Sequence, residues 1–283
     1  MIESLLLTTA RVSTFFGSQA LTVASGFFFE RDARLYLITN CHVLIDRPTG
    51  HLPDRIEIEL HTDADNLTQA IALSVWLYRD GRAIWHQGRD GAGDIDVAAI
   101  QLDRAALPAT EVLRAFTPEH LLLRLQSVQV GTPLLVVGFP LGFHDTLHHL
   151  PVVRQAVIAS SFGLRFQGQG YFLTDARTHH GTSGAPVVMR DDSAPGGLPW
   201  KLLGVHSARL DIVGGSQPAE ELLGLNCAWY ADIVLTLTVA DALSSEAQEA
   251  PLAQPEKRQH DADDNNQTDD IDDAVHGGSF NNR

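Results

Sequence analysis

Thr174-Asp175-Ala176-Arg177-Thr178-His179-His180-Gly181-Thr182-Ser183-Gly184-Ala185-Pro186 reads as the end of one strand, a tight turn bracketed by glycines, and a second strand opening at Val187. Gly and Ser are ordinary turn residues, so the bland account of Gly181-Thr182-Ser183-Gly184 is a surface turn. The functional account makes Ser183 a nucleophile. A serine hydroxyl is weak on its own and needs a base, a carboxylate to orient that base, and donors for the oxyanion that develops. Small residues on both sides let the amides of Gly181 and Ser183 converge beside the hydroxyl, and each such donor lowers the barrier by roughly 3 kcal/mol.

Residues upstream decide between the two accounts. Leu35 to Leu44 begins as an apolar, β-prone run and carries His42, and Ser25-Gly26-Phe27-Phe28-Phe29 is a second such run just before it. The pair predicts a hairpin that delivers a histidine. Asp94-Ile95-Asp96-Val97-Ala98-Ala99-Ile100 places a carboxylate at the mouth of a further apolar strand. Asp96 directly precedes that strand and is the expected orienting acid, with Asp94 solvated or capping a turn. The chain order is therefore His42, Asp96, Ser183.

Thr39-Asn40-Cys41-His42-Val43, Asp96-Val97-Ala98-Ala99-Ile100 and Gly181-Thr182-Ser183-Gly184-Ala185-Pro186 resemble the three signature blocks of trypsin-like, chymotrypsin-fold serine peptidases, bacterial branches in particular. That family has the same chain order of histidine, acid and serine. The resemblance, over roughly residues 10 to 240, implies an all-β protein of two six-stranded antiparallel β-barrels with the active site between them. A short C-terminal helix would close it. The expected parts are an N-terminal barrel over residues 1–115 with His42 and Asp96, a C-terminal barrel and helix over 116–244 with Ser183, and an acidic disordered tail over 245–283.

Strands are expected near Phe15 to Phe16, Val23 to Phe29, Leu35 to Asn40, Arg55 to Leu60, Leu73 to Tyr78, Ala83 to His86 and Val97 to Leu102 in the first half. In the second they are expected near Pro133 to Pro140, Val152 to Ser160, Tyr171 to Thr174, Val187 to Met189, Leu202 to His206 and Asn226 to Ala231. Thr117 and Pro118 start a short helix continuing to Leu125, and Ile233 to Leu243 predicts the closing helix. Past Leu243 the hydrophobic periodicity stops, and a run rich in Asp, Asn, Gln and Glu cannot offset its chain entropy.

The formal charge of −15 over 283 residues argues against nucleic acid or an anionic membrane as partner, since phosphate binding needs clustered Lys and Arg. Two cysteines, Cys41 and Cys227, are too few for a disulfide-stapled secreted enzyme and suggest a reducing compartment. Cys41 adjoins His42, but strand neighbours face opposite sides, so a buried structural thiol is expected. Met1-Ile2-Glu3-Ser4 has an acid where a signal peptide carries bases. The expected location is cytoplasmic.

In trypsin-like peptidases the residues just before the nucleophile and the strand after it line the pocket for the side chain preceding the cut. The resemblance therefore assigns Arg177, Thr178, His206 and Ser207 to substrate binding. A threonine paired with a histidine there is similar to the glutamyl endopeptidases and to Gln-cleaving viral relatives. A hydroxyl and an imidazole can bond to a carboxylate or carboxamide, and Arg177 adds attraction where it points inward. The opposing account makes His206 a satisfied core histidine and sends Arg177 to solvent.

Thr182 stands where secreted trypsins place an aspartate that pairs with a new amino terminus, so activation by that ion pair is not expected. Adjacent histidines, His148-His149 and His179-His180, raise the question of a metal. With no Cys ligands and no His-Glu-x-x-His spacing, no metal and no cofactor are expected. The function expected is a serine endopeptidase acting on a protein or peptide through Ser183, His42, Asp96 and the Gly181 amide, preferring Glu or Gln before the cut, or else a partner-gated peptide-binding module of the same fold.

Overall fold

Phe27, Phe28 and Phe29 are all buried, and that fact sets the architecture. Successive strand residues face opposite sides of a sheet, so three consecutive buried phenylalanines require a sheet covered on both faces. The computed structural model describes residues 2–122, 128–209 and 224–239. The first sheet contains β1 (Thr9–Phe16), β2 (Gln19–Arg31), β3 (Arg34–Thr39), β4 (Arg55–His61), β5 (Ala70–Trp76), β8 (Trp85–Asp90) and β9 (Gly93–Leu102), ordered β5-β4-β1-β2-β3-β9-β8. A two-stranded ribbon, β6 (Tyr78–Arg79) and β7 (Arg82–Ala83), turns at Asp80 and Gly81 in left-handed backbone.

The second half is a closed barrel of six strands, β10 (Pro133–Gly138), β11 (Val152–Ile158), β12 (Tyr171–Asp175), β13 (Pro186–Arg190), β14 (Trp200–Arg209) and β15 (Leu225–Tyr230), ordered β10-β11-β12-β15-β14-β13. The all-β double-barrel fold expected from the sequence is present. The first sheet carries seven strands because Trp85–Asp90 pairs as a full strand along β9, where only a short Ala83 to His86 segment was expected.

Leu35, Leu37, Phe28, Ala98, Ile100 and Leu102 point into the core of the first sheet. Their neighbours Tyr36, Ile38, Phe27, Phe29, Val97 and Ala99 point the other way, into a second core shared with Leu202, Val205 and Trp229 of the barrel. Phe27 and Phe116 meet edge to face at 5.8 Å there, an arrangement that suits the ring quadrupoles. A third cluster, including Phe162, Phe172 and Tyr230, fills the barrel.

Thr117 and Pro118 open a 3₁₀ turn over Pro118–His120 rather than a helix reaching Leu125, and residues 123–127 lie outside the described residues. A short helix, α1 (Cys41–Leu44), follows β3, and α2 (Ile233–Leu237) is shorter than the closing helix expected to Leu243: Thr238 caps it, and residues 240–243 lie outside the described residues. The expected acidic tail over 245–283 lies outside the described residues. Among those described, no helix is long and apolar enough to cross a membrane.

Candidate active site

β3 ends at Thr39, and α1 begins two residues later, so His42 sits on the first turn of a helix rather than on the strand. Asn40 makes the change of direction. It is fully buried, and its amide Nδ2 donates to the Asp96 carbonyl at 2.6 Å, tying the β3 end to β9. Asp96 is thereby held beside the helix. Its Oδ1 accepts the His42 backbone N–H at 2.9 Å and its Oδ2 accepts His42 Nδ1–H at 2.8 Å. A carboxylate can only accept, so Nδ1 carries the proton and Nε2 presents the lone pair.

Burial pushes the His42 imidazole pKa down. The hydrogen bond to Asp96, its charge and that of Asp46 outweigh this, and the net shift is upward. Asp94 is exposed and pairs with Arg89 at 2.7 Å, away from His42. Cys41 is buried, and its thiol is pushed up to about 12, first by burial and then by the Asp96 charge. It is no nucleophile, although the reason is the short helix and its burial, not the strand alternation expected from the sequence.

Ser183 reaches the same place from the barrel. Gly181 (φ +88°) and Gly184 (φ +82°) take left-handed backbone on either side of it, which glycine adopts without penalty. The requirement is also spatial. A Cβ on Gly184 would collide with the Ser25 carbonyl and the Thr39 hydroxyl, and one on Gly181 with the Phe139 carbonyl.

Ser25, fully buried on β2, stitches this turn to the first sheet. Its N–H donates to the Ser183 carbonyl at 2.9 Å, its hydroxyl donates to the Gly181 carbonyl at 2.8 Å and accepts Phe139 N–H at 3.0 Å. Sequence reading treated Ser25 only as the start of an apolar run.

The carbonyl of the His180–Gly181 peptide accepts Leu141 N–H at 2.5 Å. A trans peptide points its N–H opposite to its carbonyl, so the Gly181 amide faces away from Leu141. Among the described residues neither the Gly181 nor the Ser183 amide has a hydrogen-bond acceptor. Two unpartnered amides flanking the serine are what an anion-binding pocket requires. His42, Ser183 and Gly181 line one cleft of about 230 Å³, with Asp46, His51 and His180. The Ser183 hydroxyl has no hydrogen-bond partner among the described residues; serine–histidine bonds of this kind tighten when substrate fills the site.

With these elements in place the sequence can be set against known proteins. The trypsin-like peptidase domain matches residues 24–196, more than half of the chain. This chain belongs to the trypsin-like peptidase family. It is 24% identical over 182 residues to the mitochondrial serine protease HTRA2 of Drosophila pseudoobscura pseudoobscura, and to that of Drosophila persimilis, covering 64% of this chain and 35% of each relative. The chain thus spans about a third of the length of these relatives. The crystal structure of the serine endoprotease from Yersinia pestis superposes with a TM-score of 0.49 at 16% identity, covering 82% of this chain and 61% of that one.

Within this trypsin-like domain the residues expected to bind substrate divide. Thr178 and His206 are buried, each 2% exposed. Arg177 is exposed, as are Asp175 and His180, while Ala176 and Thr178 are buried. The extended segment alternates, so Arg177 and Thr178 face opposite ways. The Arg177 carbonyl accepts Arg154 Nε–H at 2.9 Å.

The Ser207 hydroxyl donates to Asp96 Oδ2 at 2.7 Å, which makes its side chain a support for the acid. Asn226 was missed altogether. It is buried, accepts the Thr178 hydroxyl at 2.6 Å and donates to the Ala176 carbonyl at 2.6 Å. Nothing in its local sequence distinguishes it from an ordinary strand residue. Thr182 is 1% exposed and brings no charge to the interior.

Proposed function

We propose that this domain is a serine endopeptidase that cleaves peptide bonds through an acyl-enzyme on Ser183. The observation that carries the reading is the Asp96–His42 hydrogen bond of 2.8 Å in the cleft that Ser183 also lines, beside two unpartnered amides. His42 Nε2 takes the Ser183 proton as Oγ attacks the substrate carbonyl carbon. The Gly181 and Ser183 amides hold the resulting oxyanion, and His42 then returns the proton to the leaving amine. Water, activated by the same histidine, releases the acid product and restores the serine. Asp96 stays ionised and stabilises the imidazolium.

The proposed preference before the cut is Glu or Gln. The support is a buried hydroxyl and a buried imidazole, Thr178 and His206, groups that can hydrogen-bond a carboxylate or a carboxamide.

Digestion of a peptide library with wild type and Ser183→Ala, read by mass spectrometry, tests both levels. Loss of the serine should reduce turnover about a million-fold, and a fluorophosphonate probe should label only the wild type. Cuts after residues other than Gln or Glu would remove the specificity reading and leave the nucleophile intact. Absence of both cutting and labelling would turn the reading to peptide docking.

A further inference from the structure

The β10–β11 loop carries His144, His148 and His149, and the fold brings a carboxylate from the other sheet near two of them. Glu59 on β4, His144 and His149 place a ligand atom each within 4.8 Å of one another. Glu59 Oε2 and His149 Nδ1 stand 3.4 Å apart, both buried and both without a hydrogen bond among the described residues.

That separation is too long for a hydrogen bond between these groups, whose usual range is about 2.7–2.9 Å. It is the spacing of two ligands on one ion: bonds of about 2.1 Å at tetrahedral angles keep ligand atoms roughly 3.4 Å apart. We propose that Glu59, His144 and His149 form a zinc site that ties the β10–β11 loop to β4.

The surrounding residues are arranged to hold such ligands. Arg11 donates to Glu59 Oε1 at 3.2 Å, which fixes the carboxylate and leaves Oε2 for the ion. His144 Nδ1 donates to the Gly142 carbonyl at 2.7 Å, which sets the ring's tautomer and leaves Nε2 as its lone-pair nitrogen. His61, also on β4, donates from Nε2 to the His148 carbonyl at 2.7 Å and packs edge-on to the His149 ring at 6.4 Å. His149 itself lies in left-handed backbone, φ +54°.

Two histidines and one glutamate match the donor set that zinc takes when it leaves a fourth position open. Imidazole favours zinc over magnesium or calcium. Closure by at most about 1.4 Å brings the widest pair to the spacing zinc requires.

The place of this site gives it a consequence. The same loop supplies the Leu141 N–H that holds the His180–Gly181 peptide. Glu59, Leu141, His180 and Gly181 also line one groove of about 530 Å³. An ion here braces the wall of that groove through Leu141.

The test does not depend on peptidase activity. The full-length chain, stripped with chelator and dialysed, is titrated calorimetrically with Zn²⁺, and its unfolding midpoint is followed with and without the ion. Expected are one zinc per chain, a raised midpoint, and no such response to Mg²⁺ or Ca²⁺.

Glu59→Gln keeps an oxygen for Arg11 and removes the anion, so it should fold normally and weaken zinc binding by about tenfold or more; His144→Ala and His149→Ala should do the same. Failure of the metal-stripped wild type to take up zinc stoichiometrically overturns the site. So does unchanged binding in Glu59→Gln, or loss of binding in His179→Ala/His180→Ala with Glu59→Gln unaffected.

Discussion

Ser207 Oγ donates to Asp96 Oδ2 at 2.7 Å, across 111 residues of sequence and from the barrel to the first sheet. The carboxylate that orients His42 is therefore itself oriented from the half of the protein that carries Ser183. Ser207 is a positioning residue in this arrangement. Hydrogen bonds to charged groups are worth about 1.5–3 kcal/mol, so Ser207→Ala should reduce kcat/KM by about one to two orders of magnitude, at about 1.4 kcal/mol per tenfold. The loss should fall on kcat rather than KM, with Ser207→Thr restoring part of it. Steady-state kinetics on a peptide substrate check the split.

The raised His42 pKa fixes the acid side of the pH profile. The imidazole must be neutral to accept the serine proton, so kcat/KM should fall on acidification with a midpoint above the ordinary value of about 6.5. The linked effect on stability has the opposite sense. The fold favours protonated His42, so that contribution is complete below about pH 6.5 and is lost as pH rises through the folded value. Asp96→Asn should move the acid limb to lower pH and reduce kcat by about 10⁴. An acid limb unmoved in that variant would sink this account of the shift.

Gly181 and Gly184 should respond differently to alanine. Both φ values are positive, and a non-glycine residue held in unfavourable backbone costs about 1–3 kcal/mol. Gly184→Ala meets the Ser25 carbonyl and the Thr39 hydroxyl inside the interface, so its main expected effect is a lower unfolding midpoint. Gly181→Ala pushes against Phe139 and Leu141 and displaces the Gly181 amide, and kcat should fall about 10²–10³. Denaturation and turnover measured on the same preparations separate the two.

Cys41 should be inert in the folded protein. With its thiol pushed up to about 12 by burial and by Asp96, almost no thiolate exists at pH 8, and thiolate is the reactive form. Iodoacetamide should leave Cys41 unmodified until denaturant is added, and activity should survive the treatment. Rapid native labelling with inactivation would show that the residue is open to the cleft.

By itself, the sequence determined most of the strand segments and the glycine-bracketed turn that carries Ser183. Apolar β-prone runs such as Phe27 to Phe29 and Leu35 to Thr39 have few alternatives once both faces are buried, and glycines at 181 and 184 mark backbone that other residues resist. The order His42, Asp96, Ser183 was legible because each stands in a block whose neighbours are local in sequence.

What only the tertiary structure decided are contacts between residues that no local pattern links. Ser207 reaches Asp96, Ser25 reaches Gly181, Asn226 receives the Thr178 proton, and Glu59 stands at His149. Which way Arg177 turns was not legible for the same reason, because the phase of an extended segment, hence which side chains turn inward, is set by the sheet it joins. Periodicity reports that a residue has a face; what that face meets depends on how the two halves pack.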